Sequence, residues 1–531
     1  MLKRSWRGRR ALGSVAWLTA TVVVTGIVGE LLVRVGIRYD LAGLRNPILF
    51  AHPFCDDDYH RLRFLWSPTK GLRPGHYRQD ADLGWVADRA PEADVLARAL
   101  PDPSFTLLLF GDSFMQGVPP ASIGERIPAL LRERMPRARV QDHAVAGYGL
   151  DQILLRFEQA LESAGSLKTV AVVGILLDDL DRTIERFREG PKPYFVVEQG
   201  ALTPQGTPVR HTPEEWLARH PVAIKSYLLA LLWNRYRSAV EWRRWQRTVY
   251  ESECRRPEKE LLARLILERM VRRARAAKVD LLFVVLYAER GLMVKSWRED
   301  FLKEQLERLG SHYVDTKPVL LSRASADATP LTDFYFPSPN GHLNARGNAL
   351  VADAIGRFLS ERFGGRPDAA AVWRRRVAFG RSAENQDLLG AVGWVADTEG
   401  FGWTDRPRAT ARISVPAGRD RLLLTLETLC AVRRRDDPRF FVVRVEGQVL
   451  LRRALREFPD CWFPDALTVL IEPDVVRGGE MTVALELPYL LTPVQTGLAA
   501  GDHRRLGIAV TSVTVRNLPA ARTAPDGTHT R

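Results

Sequence analysis

The chain has 531 residues, which is too long for one compact core, so two or three domains are expected. Its hydrophobic share of 46% and charged share of 26% are typical of a globular protein. The net charge of +14 is spread along the chain without any nucleic-acid-binding signature. We therefore predict no nucleic-acid partner, and only some attraction to anionic lipids or acidic polymers.

The N-terminus predicts a membrane anchor. Five basic residues precede Ala11, and no charged residue then occurs until after Gly29. These 19 residues are close to the ~20 that a helix needs to cross a bilayer, whereas the apolar core of a signal peptide is shorter, at about 7–15. We predict a cytoplasmic flank and signal anchor over 1–37, with the rest of the chain extracytoplasmic, and periplasmic in a Gram-negative cell. A buried helix of a soluble domain is the alternative.

A connecting segment over 38–104 leads into an α/β domain, which we predict over 105–365 because strand and helix patterns alternate there. Such alternation is typical of a largely parallel sheet. The predicted strands lie at 105–110, 138–147, 169–177, 279–287 and 312–316, and the predicted helices at 127–135, 151–164 and 345–363.

An insertion over about 181–278 interrupts this alternation. Its first half, PYFVVEQGALTPQG, predicts a β-hairpin with turn residues in the middle. Its second half, LLWNRYRSAVEWRRWQRTVY, predicts a basic helix that contains tryptophan. We favour a helix that covers the sheet with one face and exposes its arginine face to water. The alternative is a helix that lies on a membrane surface.

The character of the sequence changes after a basic linker helix, which we predict over 366–381. Six short runs of strand composition follow, separated by Gly, Pro and Asp. They predict a β-sandwich or jelly roll over 382–519, and the tail 520–531 is predicted to be disordered.

Four cysteines occur, none of them in a Cys-x-x-Cys pair, so neither a zinc site nor thioredoxin-type chemistry is indicated. Cys430 and Cys461 lie in the same C-terminal region and can form a disulfide outside the cytoplasm. We predict no metal and no organic cofactor.

Ligands of parallel α/β sheets bind beyond the carboxyl ends of the strands. Here those ends carry Ser113 in Gly-Asp-Ser, Gly147 in Gly-Tyr-Gly, and Asp178 in Asp-Asp, while His342 precedes the last helix. A serine becomes a useful nucleophile when an imidazole takes its proton. Backbone N–H groups of Ser113 and Gly147 can then hold the developing oxyanion.

In this order, GDSF, DHAVAGYG, LLDD and HLN followed by ARGN resemble the four sequence blocks of the SGNH/GDSL hydrolase superfamily. The resemblance covers roughly residues 106–363 and implies a flavodoxin-like domain. It also implies Ser113 as nucleophile, His342 as general base and then acid, and an oxyanion hole at Ser113 and Gly147.

The sequence departs from this superfamily at two blocks. Asp178 stands where an asparagine usually donates to the oxyanion, and an ionised carboxylate cannot donate. Pro339 and Asn340 stand where an acid usually precedes the histidine. Asp333 is a candidate to orient the imidazole; otherwise Ser113 and His342 act as a dyad, or activity is altered or lost.

The C-terminal region is similar to β-modules attached to bacterial surface-polysaccharide enzymes, and a structural β-domain without a ligand is the alternative. Trp394, Trp403 and Trp462 are candidates to stack on sugar, although each is more typical of a core. We therefore expect a membrane-anchored esterase that removes acyl groups, chiefly acetyl, from a carbohydrate polymer. The alternatives are an O-acetyltransferase that uses the same acyl-serine, and a catalytically inactive scaffold that binds polysaccharide.

Overall fold

A computed structural model provides the three-dimensional structure of the chain. The residues that it describes are 2–67, 77–87, 103–118, 123–135, 137–163, 165–248, 254–294, 296–337, 341–363, 374–379, 389–396, 401–416, 421–434, 436–458, 465–476, 479–498 and 501–518. The predicted tail 520–531 and both Asn340 and Cys461 lie outside this set.

The chain begins with a long helix, α1 (Leu2–Tyr39). Its segment Trp17–Tyr39 is long and apolar enough to cross a membrane, and almost all of that segment is exposed. A buried core helix of a soluble domain would instead be covered, so the exposure disfavours that alternative. The segment is compatible with either a single-pass anchor or a signal sequence.

The α/β domain is built on a five-stranded parallel sheet with the strand order β4-β3-β5-β8-β9. Numbered within the domain, this order is 2-1-3-4-5, the flavodoxin-like arrangement. The prediction of a flavodoxin-like domain with a parallel sheet is thereby confirmed. The strands are β3 (Phe105–Phe110), β4 (Ala138–Asp142), β5 (Thr169–Leu176), β8 (Asp280–Leu286) and β9 (His312–Asp315).

Helices and two small hairpins surround this sheet. β5 is buried along its whole length, as expected of a central strand that is covered on both faces. The hairpins are β1 (Tyr77–Asp80) with β2 (Gly84–Ala87), and β6 (Tyr194–Glu198) with β7 (Ala201–Gln205). The helices after α1 are α2 (Asp57–Trp66), α3 (Ser113–Gln116), α4 (Ile127–Arg134), α5 (Leu150–Glu162), α6 (Asp179–Arg182), α7 (Pro213–Arg219), α8 (Tyr227–Thr248), α9 (Arg256–Ala276), α10 (Glu289–Met293), α11 (Trp297–Arg308), α12 (Thr316–Asp327) and α13 (Ala345–Phe363).

Two predicted boundaries differ from the structure. The segment 38–104 does more than connect, because Leu83 and Trp85 of the first hairpin are buried in the core of the α/β domain. The insertion 181–278 is shorter than predicted, because Ile266 and Met270 of α9 are buried in the same core. Helix α9 is the crossover between the parallel strands β5 and β8, which the basic residues on its outer face concealed in the sequence.

A disulfide joins Cys55 to Cys254, with their Cα atoms 6.1 Å apart. It ties the segment before the sheet to the start of α9. Of the possible pair Cys430–Cys461, Cys461 lies outside the described residues. Because the bond closes a loop of 199 residues, replacing both cysteines by alanine is expected to cost about 4–5 kcal/mol of stability. The check is hydrogen exchange of the α9 segment Arg256–Ala276 in the double variant beside the oxidised wild type; equal exchange rates would contradict it.

The C-terminal region is a sandwich of two antiparallel sheets, as predicted from its short alternating runs. One sheet has the order β12-β13-β20-β15-β18, with β10 also paired to β20, and the other has the order β11-β14-β19-β16-β17. The strands are β10 (Arg374–Ala378), β11 (Leu389–Val392), β12 (Trp394–Ala396), β13 (Gly402–Thr404), β14 (Arg408–Ser414), β15 (Arg421–Ala431), β16 (Phe440–Val445), β17 (Gln448–Ala454), β18 (Asp465–Ile471), β19 (Glu480–Glu486) and β20 (Ile508–Leu518).

The predicted linker helix 366–381 is wrong where the structure describes it. Residues 374–378 form the strand β10, which pairs antiparallel with β20 and buries Val377 in the sandwich core. An available strand edge offers these backbone groups a full ladder, which overrides the helical preference of an arginine-rich segment.

The sandwich contacts the α/β domain beside the helix that follows β3. The buried carboxylate of Glu427 accepts a hydrogen bond from the backbone N–H of Gly124, at 2.8 Å. Arg376 pairs with Glu125 at 2.7 Å. Two polar contacts therefore hold the segment between α3 and α4 against the sandwich.

Candidate active site

Strand β3 passes into the short helix α3 through a sharp turn at Gly111 and Asp112. Gly111 has φ +151°, and a Cβ there would lie 2.6 Å from the Met115 side chain and 2.8 Å from the carbonyl of Gly174. Only glycine fits such a close approach. Asp112 caps the helix by accepting the N–H of Phe114 at 2.8 Å. The turn therefore places Ser113 at the first helical position, beyond the carboxyl end of the sheet.

The hydroxyl of Ser113 meets the imidazole of His342, with 2.8 Å between Oγ and Nε2. The ring of His342 stacks on Phe114, with centroids 4.8 Å apart and planes inclined by 28°. The backbone N–H of Phe336 donates to the carbonyl of His342 at 2.8 Å. Ring stacking and a backbone bridge thus hold the imidazole against a serine that lies 229 residues earlier in the chain.

The turn at Gly147 is fixed on both sides. The side chain of Gln116, in α3, accepts the N–H of Ala146 at 3.2 Å, and the indole of Trp85 donates to the Ala146 carbonyl at 3.1 Å. Gly147 has φ +84°, a conformation that favours glycine. Among the described residues, no hydrogen bond outside the helices and strands uses the N–H of Gly147 or of Ser113.

A buried arginine joins three of the four sequence blocks. Arg182 Nη1 lies 2.8 Å from Asp112 Oδ2, 2.6 Å from Asp179 Oδ1 and 3.0 Å from the carbonyl oxygen of Tyr148. Burial opposes the charge of Arg182, but the carboxylates of Asp179 and Asp112 outweigh it and raise the pKa of the guanidinium. Burial also raises the pKa of Asp179 well above its usual range, and Asp112 adds to that effect.

Asp178 lies directly before α6 and is half-buried, and its charge acts on both Asp179 and Arg182. The carboxylate of Asp333 lies 3.5 Å from Nη1 of Arg346 and is partly exposed, and its role in orienting the imidazole stays a prediction. That position makes it a surface ion-pair partner. Asn340 lies outside the described residues.

The sequence did not indicate three residues that support the site: Trp85, Gln116 and Arg182. Trp85 lies in the segment read as a connection, and nothing in its local sequence marks it. Gln116 follows the nucleophile by three residues, which places both on one face of α3. Arg182 follows Asp179 by three residues in DDLDR, a spacing that signals an ion pair within a helical turn.

No protein family matches this sequence, and no curated protein matches it. Solved structures do resemble its fold. A two-domain esterase active on acetylated mannans, crystallised with mannopentaose, covers 85% of this chain and 100% of its own, at 12% identity and a TM-score of 0.28. A member of the lipolytic G-D-S-L family from Veillonella parvula covers 49% of this chain and 100% of its own, at 12% identity and a TM-score of 0.28.

A carbohydrate-binding module is also among the similar structures. The C-terminal CBM6 of LamC from Zobellia galactanivorans covers 27% of this chain and 99% of its own, at 10% identity and a TM-score of 0.18. All these identities and TM-scores are low. The fold and the site described above therefore rest on the geometry of this chain.

Proposed function

We propose that this chain is an extracytoplasmic serine esterase, held to a membrane by α1, that removes O-acyl groups, chiefly acetyl, from a carbohydrate polymer. The observation that carries the proposal is the 2.8 Å contact between Ser113 Oγ and His342 Nε2. It lies where β3 and β5 end, the point at which the strand order reverses and at which such sheets bind ligands.

In the first half of the reaction, Ser113 Oγ attacks the ester carbonyl while its proton moves to His342 Nε2. The carbonyl oxygen becomes an oxyanion, for which the N–H groups of Ser113 and Gly147 are the proposed donors. Each well-placed donor of this kind is worth about 3–4 kcal/mol. Collapse of the tetrahedral intermediate breaks the ester C–O bond, and His342 returns the proton to the sugar oxygen that leaves.

In the second half, water attacks the acyl-serine and His342 accepts its proton. The resulting tetrahedral intermediate releases the carboxylic acid and restores the hydroxyl of Ser113. This chemistry uses only the side chains and backbone of the site, so the proposal requires no cofactor.

The carboxylate of Asp178 does not by itself preclude this chemistry. A negative group beside a developing oxyanion raises the barrier unless a positive group offsets it. Arg182 offsets part of this charge, because its guanidinium, which contacts Asp112 and Asp179, also interacts electrostatically with Asp178. We infer an oxyanion hole with two backbone donors, beside an acidic cluster that a single arginine partly neutralises.

The polymer substrate is inferred from the position of the sandwich. It contacts the segment that follows the nucleophile helix, through Gly124 and Glu427. A chain bound along the sandwich would then pass near the site. Among the predicted sugar platforms, Trp403 is buried and Trp394 packs on Phe379, so both serve the core of the sandwich, and Trp462 lies outside the described residues.

The test is acetate release from acetylated mannan, acetylated glucan and an acetylated uronate polymer by the full chain in detergent. We expect release from at least one polymer, and Ser113→Ala should lower that rate by about 10⁴-fold or more. Ser163→Ala is the matched control, because that hydroxyl is exposed and contacts only the backbone of its own helix. Its rate should equal that of the wild type.

Two other outcomes have distinct meanings. If acetyl groups move to an added oligosaccharide faster than to water, the same acyl-serine serves a transferase. If neither release nor transfer occurs while the folded protein still binds polymer, the chain is a binding scaffold and the esterase proposal is overturned.

A further inference from the structure

Helix α8 carries a stripe of large apolar side chains that no described part of the protein covers. Leu229, Leu232, Trp233 and Tyr236 are 66%, 58%, 63% and 63% exposed. Their spacing of i, i+3, i+4 and i+7 places all four on one face of the helix. Soluble proteins rarely expose such a contiguous apolar face unless it meets a partner.

Polar contacts from the side of α8 next to the stripe attach the helix to the rest of the protein. The side-chain amide of Asn234 donates to the backbone carbonyl of Ile48. Arg237 lies 2.9 Å from the carboxylate of Asp56 and 2.7 Å from Asn234 Oδ1. Because these contacts prevent α8 from rolling, its apolar stripe must point outward.

The start of α8 is joined to α1. Glu30 accepts hydrogen bonds from the hydroxyl of Ser226 at 2.8 Å and from the backbone N–H groups of Tyr227 and Leu228 at 3.1 and 2.8 Å. A Cβ at Gly29 would lie 2.9 Å from the Leu228 side chain, so the two helices touch closely there. The carboxylate thus caps the positive end of α8.

The contact between Glu30 and the start of α8 lies where the uncharged part of α1 ends. The 19 uncharged residues from Ala11 to Gly29 rise about 28 Å in a helix, close to the ~30 Å of bilayer hydrocarbon. Charged residues begin with Glu30 and Arg34. If these 19 uncharged residues span the bilayer, and not the whole of Trp17–Tyr39, α8 begins at the level of the lipid headgroups.

The composition of α8 suits that level. Tryptophan and tyrosine favour the membrane–water interface, where their rings are half in hydrocarbon and half in water. The sequence of α8 has a single acidic residue against five arginines: Arg235, Arg237, Arg243, Arg244 and Arg247. Such a surplus attracts anionic lipid headgroups.

We propose that α8 is a second membrane attachment, which lies in the outer interface of the bilayer with Leu229, Leu232, Trp233 and Tyr236 among the lipids. The lipid surface next to α1 is the occupant of the stripe. Leu228, the residue before the stripe, packs against Gly29 of α1, so the stripe begins beside that helix. The proposal rests on the anchor proposed above. Two attachments, one spanning and one lying flat, fix the height and tilt of the α/β domain over the membrane.

The test uses nitroxide labels on single cysteines introduced into the full chain, reconstituted in vesicles of phosphatidylethanolamine and phosphatidylglycerol. Power-saturation spectroscopy compares collisions with oxygen, which concentrates in lipid, and with a nickel chelate, which stays in water. The label at Trp233→Cys is expected to have an oxygen-to-nickel ratio several-fold above that at Arg272→Cys, an exposed control position on α9. Both positions are exposed, so neither variant disturbs the core.

A third label, at Val22→Cys in α1, separates the two proposals. A lipid-exposed label at 22 together with equal ratios at 233 and 272 would overturn the docking of α8 and leave the anchor intact. A water-exposed label at 22 would remove the anchor, and the proposal for α8 with it. A label at 233 that collides with neither oxygen nor the nickel chelate, and whose spectrum is broadened by a second nitroxide nearby, would show that a second copy of the chain covers the stripe. That result would overturn the proposal.

Discussion

Replacing His342 by alanine is expected to slow the reaction of Ser113 with a fluorophosphonate by about 10²–10⁴-fold, the usual contribution of a positioned general base. The imidazole lies 2.8 Å from the serine hydroxyl and is the group placed to take its proton. Without it the hydroxyl keeps that proton, and only the longer contact to Asp112 Oδ2, at 3.4 Å, remains. Mass spectrometry of the full chain locates the adduct and gives its rate.

His312→Ala is the matched control, because this histidine is exposed on β9 and its ring contacts Arg362. Its labelling rate should equal that of the wild type. Equal rates for His342→Ala and the wild type would show that another group activates the serine. No adduct on wild-type protein that is demonstrably folded would remove the nucleophile itself from the proposal.

Arg182→Met is expected to destabilise the α/β domain by about 3–5 kcal/mol, the cost of breaking a buried ion pair by removing one partner. Arg182 is the cation that contacts both Asp112 and Asp179, and those two carboxyl groups are completely buried. Methionine retains the bulk of the side chain and leaves the acidic groups facing each other. Asp179→Asn in the same chain should recover part of the loss, because it removes one of the two charges.

Hydrogen exchange measures this effect within one domain, which matters because a chain of several domains does not unfold in a single step. Exchange of the β3 strand Phe105–Phe110 should accelerate by about 10²–10³-fold or more. The sandwich strand Arg421–Ala431 is the internal reference and should keep its rate. Arg186→Met is the matched control, because Arg186 is exposed and four residues away, and its effect should stay below about 1 kcal/mol.

The same variant also tests whether Arg182 positions the nucleophile. Arg182 holds Asp112 Oδ2, the oxygen that competes with His342 for the hydroxyl of Ser113. Once released, this carboxylate should bind the hydroxyl more tightly and slow the fluorophosphonate reaction even in the folded fraction. A labelling rate equal to that of the wild type, in protein that exchanges faster, would assign Arg182 a purely structural role.

The sequence by itself predicted the strands of the α/β sheet and their order along the chain. Apolar runs such as FTLLLF and TVAVVGILL are typical of strands buried on both faces, and the helices between them favour a parallel sheet. Because the carboxyl ends of parallel strands share one edge, residues following different strands were bound to meet there. Ser113 and Gly147 could be predicted in this way because each lies within five residues of the end of a strand, β3 or β4.

The tertiary structure decided what local pattern does not encode. Trp85 reaches the site from a hairpin before the sheet, and Arg182 reaches Asp112 across 70 residues. Residues 374–378 became a strand because β20 offered an edge, against their own helical preference. The ion pair between Asp333 and Arg346 is likewise a contact that closeness along the chain does not predict, because it does not fix the direction of a side chain. Long-range contacts of this kind depend on how whole elements pack, so the residues next to each partner in the sequence do not predict them.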